Sequence, residues 1–294
     1  MDAVLSSMVD EVISPGPRNR EFALALKKYF DSEEGVVLRS YVRAFELACE
    51  LLHLHEGSRV VISPLSPVWY VQVLKRFNCT ILLSDVDPHT GCISYDSLRR
   101  LLSEGVSAII IYSPFGNLPD YEKLSNITVP ILEDLSQGFG SRRGELRAAP
   151  NASMIIAAFE EESVITTGGG AALLLQEKKY HKELQTLLSN TDSLELLPDL
   201  NASLGIAQLK VMDQLLERRH EYLELLVNAL NHSRHRVLLE MSDLCIPNGY
   251  TLPVQIDSRV QEVKKFTQRY KIEAVNPFAR NVLDLLDGTY GQDA

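Results

Sequence analysis

The chain has 294 residues, 45% of them apolar, and a formal net charge of −10 from 39 acidic and 29 basic side chains. That balance, without a long basic run, excludes nucleic acid as the main partner, because phosphate recognition needs clustered Lys and Arg. The length allows one large domain or two around a sizeable core. Cys49, Cys79, Cys92 and Cys245 show neither CxxC pairing nor zinc-ligand spacing and read as reduced core residues, so no metal site is expected.

The N-terminal stretch MDAVLSSMVDEVISPGP carries acids early and has no basic n-region, unlike a signal peptide. No apolar run approaches the roughly 18 residues of a membrane span. A cytoplasmic protein without membrane contact is expected, in which the sequons at Asn78, Asn126, Asn151, Asn201 and Asn231 carry no glycan. The segment Phe22–Phe30 (FALALKKYF) predicts a helix with apolar surface to spare.

Short β-branched runs bounded by turn formers follow: Arg59–Ser63, Cys79–Ser84, Ala108–Tyr112, Val129–Glu133 and Ser153–Phe159. Such runs suit strands buried on both faces of a mostly parallel sheet. Between them Tyr41–His53, Val68–Phe77, Ser94–Ser103 and Asp120–Ser125 read as helices. The alternation predicts an α/β domain with a sheet sandwiched by helices.

From Asp199 the period turns helical, with Leu200, Leu204, Ala207, Val211 and Leu215 on one predicted apolar face. Beyond it Arg236–Glu240 and Tyr250–Ile256 read as strands and Val260–Tyr270 as a helix, a small α+β unit. The expected division is 1–215 for the large domain and 216–294 for the small C-terminal one.

Several side chains invite chemistry that their settings argue against. Thr166–Gly170 lacks the lysine of a P-loop, since Ala171 follows, and reads as a turn between two strands. Asp85 and Asp87 precede Pro-His-Thr-Gly and read as turn formers. His232 and His235 lack further ligands for a metal. His53 and His55, two apart on a helix, do not face each other. Glu160, Glu161 and Glu162 read as a solvated run.

The order of these segments resembles the sugar aminotransferases typified by DegT and StrS. Arg59–Ile62 with Pro64 resembles the family's strand before its P-S-F-T loop, and Leu82–Asp87 with Pro88-His89-Thr90 its F-V-D-V-D-P-D-T turn. Glu133-Asp134-Leu135-Ser136-Gln137-Gly138 resembles E-D-A-A-Q-A/G, and Ser203–Leu209 resembles A-L-G-L-A-Q-L, followed by the arginines of Glu217-Arg218-Arg219. The match runs from about residue 36 to 225.

The resemblance implies the large α/β domain of the pyridoxal-phosphate-dependent transferases with a truncated C-terminal domain. It places Asp134 against the pyridinium nitrogen, where a carboxylate keeps the ring protonated as an electron sink. Gln137 falls beside the ring oxygen and Trp69 near the ring-stacking aromatic. Asp134 has a second reading, as a residue that closes a strand and caps the next turn.

The departures concern the chemistry. The family's cofactor lysine, four residues after a phenylalanine, falls on Ser163 after Phe159, and no lysine occurs between Lys123 and Lys178. A hydroxyl forms no stable imine and cannot shuttle the proton that a lysine amine moves. The phosphate-binding Ser-Gly-Thr becomes Ser40-Tyr41-Val42, and the serine before the phenylalanine becomes Ala158. The asparagine and arginine that precede the A-L-G-L-A-Q-L helix become Leu194 and Leu196.

The expectation is therefore a family member without transamination and without a bound cofactor, serving as a nucleotide-sugar-binding or protein-binding module. The alternative is an atypical pyridoxal-phosphate-dependent aminotransferase acting on a nucleotide-linked keto sugar. The resemblance also implies a homodimer, with an active paralogue as a further partner.

Overall fold

The computed structural model describes residues 14–286, apart from 145–148, 243, 257–258 and 279. Seven strands form one sheet: β1 (Glu34–Leu38), β2 (Arg59–Ile62), β3 (Thr80–Leu83), β4 (Ala108–Tyr112), β5 (Ile131–Asp134), β7 (Met154–Ala158) and β8 (Ala171–Leu175). Their order is β1-β8-β7-β5-β4-β2-β3. Strands β3, β2, β4, β5 and β7 run parallel, while β8 runs antiparallel to both β7 and β1. The expected α/β fold with a mostly parallel sheet is what the chain adopts.

Burial on both faces explains the apolar runs. Along β4, Ala108 and Ile110 join one core cluster while Ile109 and Ile111 join the other. The same alternation divides Met154, Ile156 and Ala158 from Ile155 and Ala157 on β7. A period of two thus runs through strands that look uniformly apolar in sequence. Helices α2 (Tyr41–Leu51) and α3 (Trp69–Arg76) cover the first face, and α1 (Pro17–Tyr29) covers the second.

Helix α1 turns its large side chains inward: Phe22 and Leu26 are fully buried and Phe30 nearly so. This corrects the expectation that Phe22–Phe30 has apolar surface to spare; Leu24 alone of its large apolar residues is well exposed. Its first turn is held from a distant segment. Asp199 Oδ1 accepts from Gly16 and Asn19 N–H at 2.8 Å each, and its Oδ2 accepts from Arg18 N–H at 3.1 Å. The carboxylate satisfies amides that a helix start otherwise leaves without partners.

The helical stretch after Asp199 is two helices. With α4 (Tyr95–Leu102), α5 (Tyr121–Leu124) and α6 (His181–Ser189) preceding them, these are α7 (Asp199–Lys210) and α8 (Met212–Leu230). Helix α8 runs through position 215. The predicted apolar face is not the buried one, for Leu204 and Val211 are 39% and 42% exposed. Helix α7 instead buries Ala202, Ser203, Gly205 and Ile206. Gly205 explains the choice, because a methyl group there would run into the Phe22 ring, so the two helices approach closely at that point.

The C-terminal elements are short. Strand β6 (Arg142–Arg143) pairs with β10 (Cys245–Ile246), and β9 (Arg236–Val237) with β11 (Val254–Gln255), followed by α9 (Val260–Arg269) and α10 (Val282–Leu286). Buried asparagines join this part to the sheet. Asn248 donates to Gln137 O at 2.7 Å and Phe139 O at 3.0 Å, and Asn117 donates to Leu238 O at 2.9 Å. No helix among the described residues is long and apolar enough to cross a membrane.

Candidate functional site

Strand β5 ends in two adjacent carboxylates that its pleat sends to opposite faces. Glu133 faces the side of α1, where its Oε1 accepts from Tyr121 Oη at 2.8 Å and Ser113 Oγ at 3.3 Å. Burial pushes its pKa up to about 8 against the lowering effect of those two donors. The native state thus keeps a proton on Glu133 that the unfolded chain, at about 4.5, has released. The contribution to stability is complete below about pH 4.5 and is lost as the pH rises towards 8. Between those limits Glu133→Gln is expected to flatten the fall of the urea midpoint with pH. A profile parallel to that of the unmodified protein would contradict the assignment.

Asp134 faces the side of α2 and α3 and is fully buried. Its Oδ2 accepts hydrogen bonds from the hydroxyls of both Tyr41 and Tyr70, and its Oδ1 accepts from Ser136 N–H at 2.8 Å. Burial raises the pKa of the carboxyl while these donors pull it down, with a net rise. Both phenols are raised well above the ordinary tyrosine value, by burial first and by the Asp134 charge second, so they stay protonated as donors.

Rings hold the two hydroxyls in place. Trp69 meets Tyr41 edge-on at 4.7 Å between centroids, and Phe45 stacks on Tyr70 at 4.4 Å. Trp69 is therefore part of the packing behind Asp134. Tyr70 was not singled out in the sequence. The available signal was a phenol among the buried apolar side chains of a helix, which needs a partner for its hydroxyl.

The other expected site residues sit apart from this cluster or are otherwise engaged. Gln137 Oε1 accepts from Phe115 N–H at 2.9 Å. Ser163 lies half-buried in the connection between β7 and β8, its N–H donating to Glu160 O at 3.1 Å. Glu160, Glu161 and Glu162 are exposed, as expected of a solvated run. The Ser40 hydroxyl accepts from Arg43 N–H at 3.3 Å as the N-cap of α2. Ala158 N–H donates to Ser136 Oγ at 3.0 Å.

The Gln of the A-L-G-L-A-Q-L-like helix has a visible task. Gln208 accepts from Thr166 N–H at 3.2 Å and donates back to Thr166 O at 2.5 Å, while Asn201 donates to Thr167 O at 2.6 Å. Arg219 donates to Val164 O at 3.4 Å. Together these side chains pin the segment that carries Ser163. Gly170, at φ +98°, lies so close to Leu38 O that no side chain fits there.

Asp85 and Asp87 behave as turn formers, Asp87 Oδ1 accepting from His89 N–H at 2.8 Å and Thr90 N–H at 3.1 Å. No cluster of three or more His, Cys, Asp or Glu suited to a metal occurs among the described residues. All four cysteines are free thiols.

The DegT/DnrJ/EryC1/StrS aminotransferase family model matches residues 1–281. The chain belongs to that family. Among curated relatives, the UDP-4-amino-4,6-dideoxy-N-acetyl-beta-L-altrosamine transaminase of Campylobacter jejuni is 27% identical over 242 residues, covering 75% of this chain and 64% of the relative. The chain thus spans less than two thirds of that family member. A putative sugar aminotransferase from Streptococcus pneumoniae, solved in its PLP-form, superposes with a TM-score of 0.87 at 20% identity, covering 99% of this chain and 86% of that one. Its PMP-form superposes with a TM-score of 0.85.

These matches correct the expectation that the chain has no cofactor. Family members are aminotransferases, and the solved neighbour exists in pyridoxal-phosphate and pyridoxamine-phosphate forms, so the comparisons point to that group rather than to none. The residues in place do not fit it as they stand. Asp134, which the sequence resemblance sets against the ring nitrogen, is already bonded to two phenols and an amide, Ser163 stands where that resemblance expects the lysine, and Ser40 caps its own helix. No catalytic step through the cofactor follows from this arrangement.

Proposed function

We propose that this chain is a sugar-aminotransferase family member without lysine-dependent transamination, serving as a nucleotide-sugar-binding or partner-binding module. The observation that carries this reading is Ser163 in the place of the lysine, with no lysine between Lys123 and Lys178. Such an amine forms the imine and moves the proton, and serine does neither. The engagement of Asp134 by Tyr41 and Tyr70 supports the same reading. Without that lysine, only non-covalent contacts remain to hold pyridoxal or pyridoxamine phosphate. The ligand class rests on the family and on the UDP-linked amino sugar in the name of the Campylobacter jejuni relative.

The retained Asp134 and Gln137 favour a second reading, an atypical pyridoxal-phosphate-dependent aminotransferase acting on a nucleotide-linked keto sugar. Release of 2-oxoglutarate from L-glutamate separates the two. With pyridoxal phosphate and a nucleotide-linked keto sugar added to accept the amino group, the protein is expected to release it no faster than the same mixture without protein. Repeated turnover would overturn the first reading and establish the second.

A further inference from the structure

We propose that Tyr41 and Tyr70 form a removable plug on Asp134, which a ligand binding through a ring nitrogen must displace. The inference rests on Asp134 being the family's ring-nitrogen carboxylate, as in the reading above.

The geometry leaves Asp134 no oxygen without a donor. One oxygen takes the amide of Ser136 and the other takes both phenols, whose own oxygens lie 3.4 Å apart. The two tyrosines reach the carboxylate from the starts of different helices, Tyr41 as the first residue of α2 and Tyr70 as the second of α3. A protonated ring nitrogen offers the carboxylate one charge-assisted hydrogen bond and has to replace two donors already in place.

The two members of the plug are not equivalent. Tyr70 is fully buried and stacked on Phe45, whereas Tyr41 keeps 8% of its surface exposed and sits where the family motif has glycine. Tyr41 is the outer member and the one whose removal opens a path. Glycine in its place also returns the stretch towards Ser-Gly-Thr, without touching the capping hydroxyl of Ser40.

Trp69, the single tryptophan of the chain, lies against the Tyr41 ring, so its fluorescence reports on the plug. Pyridoxamine phosphate is a suitable probe because it has no aldehyde to react with surface lysines. Benzyl phosphate supplies the same ring size and phosphate without the nitrogen. Titration of the full chain is expected to show Tyr41→Gly binding pyridoxamine phosphate at least about tenfold tighter than the unmodified protein. That gain corresponds to about 1.4 kcal/mol, within what one hydrogen bond to a charged group contributes. Benzyl phosphate should gain much less.

Tyr41→Phe keeps the packing and removes only the hydroxyl, so it tests the same point if the glycine variant folds poorly. It is expected to bind several-fold tighter than the unmodified chain at a matched circular dichroism spectrum. Equal affinity of the folded variants and the unmodified protein would overturn the plug, as would an equal gain for benzyl phosphate. Failure of the functional reading shows itself differently, as glutamate turnover, and leaves these affinities to be judged separately.

Discussion

Phe22→Ala is expected to lower the unfolding free energy by about 4 kcal/mol, the range for removing a fully buried aromatic ring. Phe22 is 0% exposed, packs on Phe159 at 5.1 Å between ring centroids and faces Gly205 where α1 meets α7. The glycine opposite has no side chain of its own to swing into the space, so the cavity is not filled from that side. Gly205→Ala approaches the same contact from the other side. Its gain in helix propensity of about 1 kcal/mol is opposed by collision with the ring, so a net loss of stability is expected. Leu24→Ala on the same helix, at a 64% exposed position, should stay within about 0.5 kcal/mol. Urea midpoints at constant slope separate the three. A Phe22→Ala midpoint no lower than that of Leu24→Ala would show that α1 does not help to close the core.

Asp134→Ala is expected to cost about 3 kcal/mol. The change strips the acceptor from the Tyr41 and Tyr70 hydroxyls and from the Ser136 amide, and each buried donor left alone costs about 1–3 kcal/mol. The total falls short of three full penalties because the phenols, 3.4 Å apart, can turn to each other. The loss of a desolvated carboxylate offsets part of it as well. Tyr41→Phe should cost about 1 kcal/mol, since it removes one donor and retains the ring. Unchanged urea stability of Asp134→Ala, together with loss of pyridoxamine phosphate binding, would assign the carboxylate to a ligand instead of to the fold.

The parallel part of the sheet was legible in the sequence because its strands are β-branched runs flanked by turns. Two neighbouring strands were harder to read, one of them marked only by the Thr166–Gly170 turn before it. Glu34–Leu38 contains a glycine and only three apolar residues, and Ala171–Leu175 is built from alanine and leucine, which favour helices. Both become strands through pairing, with five register pairs between β1 and β8 and five more between β8 and β7.

The apolar stripe from Leu200 to Leu215 misled for a related reason. Helix α7 packs by its small residues, which let α1 come close, and a stripe of large residues does not reveal that choice. At the site, Asp134 stood out through the motif around it. Its partners did not, because Tyr41 and Tyr70 lie 93 and 64 residues away and their meeting depends on how α2 and α3 cross the sheet. The asparagine links between the C-terminal part and the sheet are equally non-local, Asn248 reaching back 111 residues to Gln137.

The central claim is that this family member carries no lysine-linked cofactor, and borohydride trapping tests it most directly. The full chain is mixed with one equivalent of pyridoxal phosphate, reduced, digested and mapped by mass. The account predicts scattered traces on surface lysines and no stoichiometric label, with the peptide containing Ser163 unmodified. One lysine carrying a full equivalent of reduced cofactor would contradict it and would reveal an amine that takes the place of the missing one.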